Sequence, residues 1–263
     1  ERYAKQQELG IISPAAKLAP FENERGTMPA WDSLTPEEQD EMDLLMAGYA
    51  GMIHCLDRSV GRLVDKIAEL GDRDNTLILF LSDNGACPFP RDKNKLPPTD
   101  PQSYRSINPM WACVGNTPYR LFKRNGHAGG CRTHLIANWP GRIESGVIYR
   151  EPVHVVDFMP TLLELADSEY PEVFQGQPTP KLDGLSLTPV FRGESRPAHE
   201  ILVSGWMESK RMIRQGDWKA VIAGKEWELY NITKDPTELD DLAQAMPEKL
   251  MQLRESYAQW RAQ

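Results

Sequence analysis

The sequence predicts an α/β protein that ends in a small antiparallel sheet with a helix, and three observations predict it. A long stretch of helical periodicity over 42–67 leads into a wholly apolar run, Thr76-Leu77-Ile78-Leu79-Phe80-Leu81. A run this short and apolar reads as a strand covered on both faces, as in a mostly parallel sheet. Beyond residue 198 the pattern changes to short alternating runs broken by Gly205, Gln215-Gly216-Asp217 and Gly224-Lys225, a meander of about four antiparallel strands.

The chain opens on Glu1-Arg2-Tyr3-Ala4-Lys5-Gln6-Gln7-Glu8, which reads as the middle of a helix, without initiator Met or targeting pattern, and suggests a piece of something longer. Residues 1–32 are otherwise irregular and punctuated by Pro14, Pro20 and Pro29. Thr35-Pro36-Glu37-Glu38 then supplies an N-cap, a proline in the first turn and the closing acid of a capping box. Apolar residues recur at helical spacing from Met42 through Leu45, Met52, Leu56, Leu63 and Ile67, and Gly71 follows as a C-cap, giving one very long helix or two in succession.

The strand at 76–81 ends in Ser82-Asp83-Asn84-Gly85. Ligands in open α/β sheets collect beyond the carboxyl ends of the strands. A carboxylate beside an amide carbonyl offers two hard oxygens to Ca²⁺ or Mg²⁺; the same four residues also read as an Asn-Gly turn. Residues 86–116, with prolines at 88, 90, 97, 98, 101 and 109, read as a long loop bordering a cleft. A strand closed by Pro140-Gly141 follows at 135–141, then a helix over 153–166 with Asp157 and Pro160 near its start, and a second polar connection over 171–198. The helical tail at 238–263 would pack through Leu239, Leu242, Ala243, Leu250, Leu253, Tyr257 and Trp260. The chain thus divides into α/β material over 1–198 and a small subdomain over 199–263.

The net charge of −8, with no basic block, argues against a nucleic-acid partner. No apolar run approaches the roughly 20 residues that span a bilayer. The four cysteines include no C-x-x-C pair. Cys113, His127, Cys131 and His134 could all ligate zinc, but Cys131 and His134 lie three apart on what reads as a strand, so they face opposite ways. Asp57 reads as a structural cap or ion pair. His54, His134, His154 and His199 have no supporting partners in sequence and read as structural or exposed.

The order of motifs resembles the sulfatase family of the alkaline phosphatase superfamily, most of all its bacterial arylsulfatase branch. The pieces are Leu56-Asp57-Arg58-Ser59-Val60-Gly61, Ser82-Asp83-Asn84-Gly85, Asn116-Thr117-Pro118-Tyr119-Arg120-Leu121-Phe122-Lys123 and His127-Ala128-Gly129-Gly130-Cys131-Arg132-Thr133. They continue with Trp139-Pro140-Gly141, Val155-Val156-Asp157-Phe158-Met159-Pro160-Thr161-Leu162-Leu163, Leu182-Asp183-Gly184-Leu185-Ser186-Leu187, Trp227-Glu228-Leu229-Tyr230-Asn231 and Asp235-Pro236-Thr237-Glu238. The resemblance covers roughly the C-terminal half of such an enzyme and implies a partial alkaline-phosphatase-like three-layer domain.

It implies that Asp83 and Asn84 hold Ca²⁺, or Mg²⁺, and that Lys123 is catalytic and binds the sulfate and the leaving-group oxygen. Sulfate ester cleavage builds negative charge on those oxygens, so a metal and fixed cations must face them. His127 would line the sulfate pocket, although a histidine beside Gly126 also reads as a turn residue. Ala128 departs from the family, where a Glu that would brace the lysine loop usually precedes Gly-Gly. The family's other metal ligands, an Asp pair, have no match here. Its nucleophile is a formylglycine made within C/S-x-P/A-x-R, and the surroundings of Cys55, Cys87, Cys113 and Cys131 all fail that pattern.

The implied activity is sulfuric ester hydrolysis by a longer parent, periplasmic or extracytoplasmic. Its partners would be a sulfate ester and the missing N-terminal part that bears the nucleophile. The chain alone would be inactive. The alternatives are a phosphoryl hydrolase or transferase on the same scaffold, and a non-catalytic, degenerate anion-binding module. All versions of the site require the oxygens of Asp83 and Asn84 and the ammonium of Lys123 to converge.

Overall fold

The computed structural model of the chain describes residues 1–23, 26–89 and 96–262. A short helix, α1 (Arg2–Glu8), is pinned through the Tyr3 hydroxyl, which donates to the Ala16 carbonyl at 2.7 Å. Two-residue strands β1 (Glu22–Asn23) and β2 (Gly26–Thr27) pair antiparallel. The long periodic stretch is a single helix, α2 (Pro36–Glu69). Its capping box forms as expected: Glu38 N–H donates to Thr35 Oγ1 at 3.3 Å, and Thr35 N–H donates to Glu38 Oε2 at 2.9 Å. Leu70 caps the far end, and Gly71 beyond it takes φ +80°, the left-handed conformation that stops a helix.

The apolar run forms β3 (Ile78–Leu81). Residues 90–95 of the expected long loop lie outside the described residues, and the loop is interrupted by a helix, α3 (Asn108–Gly115). Pro109, read as a loop marker, sits in the first turn of that helix, where a missing N–H costs nothing. Helix α3 buries Ala112 and Cys113 in a cluster with Met28, Ile107 and Phe122. A one-turn helix, α4 (Ala128–Cys131), precedes β4 (Leu135–Asn138).

Strand β4 pairs antiparallel with β3, Leu79 opposite Ala137. The mostly parallel sheet expected around 76–81 does not form among the described residues. A parallel neighbour must arrive through a crossover unit, and β4 is the only described strand that reaches β3. The apolar run is therefore only partly covered, and Leu81 is 38% exposed.

Helix α5 (Phe158–Leu165), a small hairpin of β5 (Val173–Phe174) and β6 (Gln177–Pro178), and the short α6 (Thr188–Phe191) follow. Asp157 is completely buried beside α5. Its carboxylate accepts from Arg196 Nη2 at 3.0 Å, from the backbone N–H of His154 and of Leu185 at 2.9 Å each, and pairs with His199 Nε2 at 2.9 Å. Burial alone would raise this carboxyl, but those donors outweigh it and hold it below the usual carboxylate range. His199, which showed no partner in sequence, thus belongs to a buried ionic cluster.

The expected meander is present as β7 (Leu202–Met207), β8 (Lys210–Gln215), β9 (Trp218–Ala223) and β10 (Glu226–Asn231), in spatial order β10-β9-β8-β7. Helix α7 (Pro247–Arg261) packs on one face, where Leu253 joins Ile213, Ala220 and Leu229 in a buried core. The tail helix starts nine residues later than its periodicity suggested, at Pro247 instead of 238. The intervening segment runs along β10 instead: Leu242 N–H donates to Leu229 O at 2.8 Å, and Asp241 Oδ1 accepts from Leu229 N–H at 2.9 Å. Leu242, Ala243, Leu250 and Tyr257 pack as expected, whereas Leu239 and Trp260 are exposed. Among the described residues no helix is long and apolar enough to cross a membrane.

Candidate functional site

Strand β3 delivers Asp83 and Asn84 into a tight turn. Ser82 Oγ donates to Asn84 O at 2.8 Å, and Asn84 Nδ2 donates to Asp83 Oδ1 at 2.8 Å. This turn meets the loop carrying Lys123 backbone to backbone. Gly85 N–H donates to Gly130 O at 3.0 Å, and Lys123 N–H donates to Ala86 O at 3.1 Å. Asn116 ties the two together, its Oδ1 accepting from Ala86 N–H and its Nδ2 donating to Leu121 O, both at 3.0 Å.

Glycine is required at this junction for space. A Cβ on Gly85 would overlap the Gly129 carbonyl, and one on Gly129 would overlap the carbonyls of Arg120 and Leu121. Lys123 lies between Leu121 and Arg124, both at positive φ (61° and 78°). Non-glycine residues in that region cost about 1–3 kcal/mol each and persist only where the surroundings over-determine them.

The surroundings do so with charge. Arg120 Nε donates to Glu22 Oε1 at 2.5 Å, and its Nη1 reaches Tyr230 Oη at 3.0 Å and Glu228 Oε2 at 3.4 Å. Tyr230 Oη donates to Glu228 Oε2 at 2.7 Å. His127, 1% exposed, places Nε2 2.6 Å from the same oxygen. A bond to a carboxylate needs the proton on Nε2, and Nδ1 is buried with no hydrogen-bond partner among the described residues.

Burial pushes the Glu228 carboxyl up. The His127 and Tyr230 hydrogen bonds and the Arg120 guanidinium outweigh that and bring it down to about 2. Burial and the neighbouring Glu228 push the Tyr230 hydroxyl well up. Burial opposes the charge on Arg120, but its bond to Glu22 holds it more firmly protonated than usual.

A second carboxylate reaches the same turn. Glu238, fully buried, accepts from Ala128 N–H at 2.7 Å and pairs with Lys219 through its other oxygen. A carboxylate thus supports the lysine loop from a distant point in the chain, although residue 128 itself is alanine. Burial pulls the Lys219 ammonium down, but Cys131 and Glu238 raise it on balance. The same burial raises the Cys131 thiol, 3.7 Å from that ammonium. Cys131 closes α4 and does not lie on a strand, so the alternation argument against zinc does not apply to it; Lys219 and the Gly126 carbonyl take its sulfur.

The structure therefore brings the 83–86 turn and the Lys123 loop together, and buries His127 against Glu228. The Lys123 side chain has no hydrogen-bond or ion-pair partner among the described residues. Asp83 and Asn84 fit a hard cation in donor type, but among the described residues no group of three or more His, Cys, Asp or Glu converges. The supporting residues Arg120, Glu228, Tyr230, Glu238 and Lys219 carry no role in the sequence reading. One signal was present: Glu228 and Tyr230 are two apart on a strand and share a face, an unusual pair for a core-facing surface.

The sulfatase family model matches residues 15–168, and the model for the C-terminal part of N-sulphoglucosamine sulphohydrolase matches residues 119–263. An uncharacterized sulfatase of Schizosaccharomyces pombe is 33% identical over 285 residues, covering 100% of this chain and 51% of its own. The arylsulfatase of Klebsiella aerogenes is 30% identical over 210 residues, 74% of this chain and 44% of its own. The crystal structure of Ps i-CgsB superimposes with a TM-score of 0.62 at 26% identity, over 81% of this chain and 42% of that one. The chain spans about half the length of the relatives it matches. With the family model matching more than half of its residues, the chain belongs to the sulfatase family.

Proposed function

We propose that this chain supplies the metal- and sulfate-holding portion of a sulfuric ester hydrolase. The observation that carries the reading is the pair of backbone hydrogen bonds, Lys123 N–H to Ala86 O and Gly85 N–H to Gly130 O, which joins the Asp83-Asn84 turn to the lysine loop. In this reading the carboxylate of Asp83 and the amide oxygen of Asn84 hold Ca²⁺ or Mg²⁺. A hard divalent cation there would supply fixed positive charge against the sulfuryl oxygens.

Lys123 donates to the sulfate and to the departing oxygen. Its compact ammonium, without a partner among the described residues, keeps its donors for an anion. His127 holds its ring on Glu228 and would meet the sulfate through Nδ1. The Arg120–Glu22–Glu228–Tyr230 cluster keeps the lysine loop in its strained backbone conformation, so that no reorganisation is needed as charge develops. Two ligands from one turn are too few for an ion that takes 6–8 oxygens. The remaining ligands and the formylglycine nucleophile would come from family sequence with no counterpart here. Residues 1–198 then form part of the catalytic domain and 199–263 its C-terminal subdomain.

The test is hydrolysis of para-nitrophenyl sulfate by the complete parent protein. Lys123→Ala is expected to lower kcat about 10²–10³-fold, the effect of removing one fixed donor to developing charge. Asp83→Ala is expected to abolish activity that added Ca²⁺ otherwise restores after chelation. A Lys123→Ala enzyme within threefold of the unsubstituted parent overturns the assignment. So does a parent that cleaves para-nitrophenyl phosphate but no sulfate. The 263-residue chain alone is expected to turn over no aryl sulfate, and turnover by it refutes the dependence on further sequence.

A further inference from the structure

The lysine loop lies in a stretch of unusual charge. Residues 101–143 hold six Lys and Arg and none of the chain's 38 Asp and Glu, within a protein of net charge −8. Two of the six are met by carboxylates from elsewhere: Arg105 pairs with Glu41, and Arg120 with Glu22 and Glu228. Three others lie over aromatic rings. Arg132 stands 4.7 Å from the centroid of Tyr119, Arg142 5.5 Å from that of Trp139, and Arg124 4.2 Å from that of Phe89. A carboxylate cancels a guanidinium's charge, whereas a ring face orients the guanidinium and leaves the charge in place.

Of these three, only Arg124 belongs to the lysine loop itself. It follows Lys123 directly, and its head crosses to Phe89, in the stretch that continues the Asp83-Asn84 turn. Phe89 meets Phe122 edge to face at 6.5 Å, and Phe122 is buried in the cluster with Ile107 and Met28. The ring under Arg124 is therefore anchored to the core. The guanidinium spans the same two loops that the Lys123 N–H to Ala86 O bond joins, one residue along. Another cation approaches from β8, where Lys210 Nζ donates to Asn125 Oδ1 at 3.4 Å. Successive residues 123, 124 and 125 thus each carry or hold a cation.

Like charges gathered on one loop repel, and a surface of one sign concentrates ligands of the other. The chain as a whole is acidic, so this cationic strip is a local feature and not a consequence of composition. A ligand with a single anionic group leaves part of the strip unmatched. One with two neighbouring anionic groups matches more of it.

We infer that Arg124 is a specificity-determining residue of this site, reading a second anionic group on the substrate while Lys123 holds the sulfate ester. The substrate class is then a sulfate ester that carries a neighbouring sulfate or carboxylate. The inference rests on the proposed hydrolase reading for the role of Lys123. Guanidinium suits the task, because its planar fork meets a sulfate or carboxylate through two parallel N–H···O bonds. The anchored Phe89 ring sets the plane of that fork before a ligand arrives, which lowers the ordering cost of binding. Lys210 adds charge nearby without directional preference.

The experiment titrates the complete parent protein calorimetrically with three anions that contain no ester and so cannot be turned over: benzenesulfonate, meta-benzenedisulfonate and meta-sulfobenzoate. At least one dianion is expected to bind about tenfold more tightly than benzenesulfonate, the effect of one added charge-assisted contact. Which dianion gains more tells a second sulfate from a carboxylate. The margin should narrow as salt is raised, because Arg124 is only half-buried. Arg124→Asn is expected to cut it to less than about threefold, and asparagine tolerates the left-handed backbone at this position better than arginine does, so the loop stays unstrained. Arg124→Lys, which keeps the charge and loses the fork, should retain only part of the margin. Equal affinity of the unsubstituted parent for all three anions overturns the inference. So does an Arg124→Asn protein that binds all three more weakly by the same factor, since the Phe89 stack would then only prop the loop. Turnover of para-nitrophenyl sulfate reports separately on the hydrolase. A dianion preference without turnover sinks the hydrolase and spares the second anion contact, and turnover without the preference does the reverse.

Discussion

Replacing Glu228 by glutamine tests whether charge, as opposed to shape, holds the lysine loop. The substitution keeps the side chain's size and an oxygen for His127 and Tyr230, but removes the negative charge shared by His127, Tyr230 and Arg120. The carboxyl sits at about 2 in the folded chain against an ordinary 4.5. A displacement of that size is worth about 3 kcal/mol at neutral pH. The side chain is 18% exposed, so solvent screens little of this.

Because the folded value is depressed, the stabilisation is fully present above the unfolded value of 4.5 and is lost as pH falls toward 2. The expected result is a Glu228→Gln chain about 3 kcal/mol less stable at pH 7 in urea titrations followed by circular dichroism. The deficit should shrink to less than about half near pH 3. Coincident curves at pH 7, or a deficit undiminished at pH 3, would refute the electrostatic account and leave only packing.

Asp157→Ala strands Arg196 and His199, whose side chains are 2% and 6% exposed. It should cost about 3–5 kcal/mol in the same titrations, and the parent chain should itself lose stability in acid as the depressed Asp157 carboxyl takes a proton. Gly129→Ala drives a methyl group into two backbone carbonyls. It should cost about 3 kcal/mol or more, visible as loss of soluble protein or a collapse of the urea midpoint. Leu253→Ala opens a cavity under the meander and should cost about 2–5 kcal/mol with the slope of the transition unchanged.

Much of the fold was legible where the signal is local. The Thr35 capping box, the four meander strands and the helix beginning near Asp157 depend on neighbours in sequence, and they stand where the pattern put them. Misreadings arose where one residue type serves two purposes. Pro109 marks a loop in composition but opens a helix in the structure, and the periodicity of 238–246 came from a segment that runs along β10. The apolar run at 76–81 is a strand, but its expected parallel neighbours are not among the described residues. Motif order nominated Asp83, Asn84 and Lys123, and the structure joins the two loops that carry them through backbone hydrogen bonds. The supporting roles of Glu228 and Glu238 were not legible, because they act on the lysine loop across a hundred residues of chain, and Arg120, within the loop, finds its partners about as far away.

That long reach bears on what the C-terminal sheet is for. The strained backbone around Lys123 is held on one side by Asn116 and the 83–86 turn, which are near neighbours in the α/β portion. On the other side it is held by Glu228 and Tyr230 of β10, and by Glu238 with Lys219 of β9. Without those strands His127 would lose its partner, Arg120 would lose two of its acceptors, and the Ala128 N–H would be left without its carboxylate. Each such loss in a buried setting costs about 1–3 kcal/mol, comparable to the backbone strain at Leu121 and Arg124. The sheet is therefore part of the construction of the lysine loop. Whatever division the proposed 198/199 boundary marks in the sequence, the lysine loop takes its shape from residues on both sides of it.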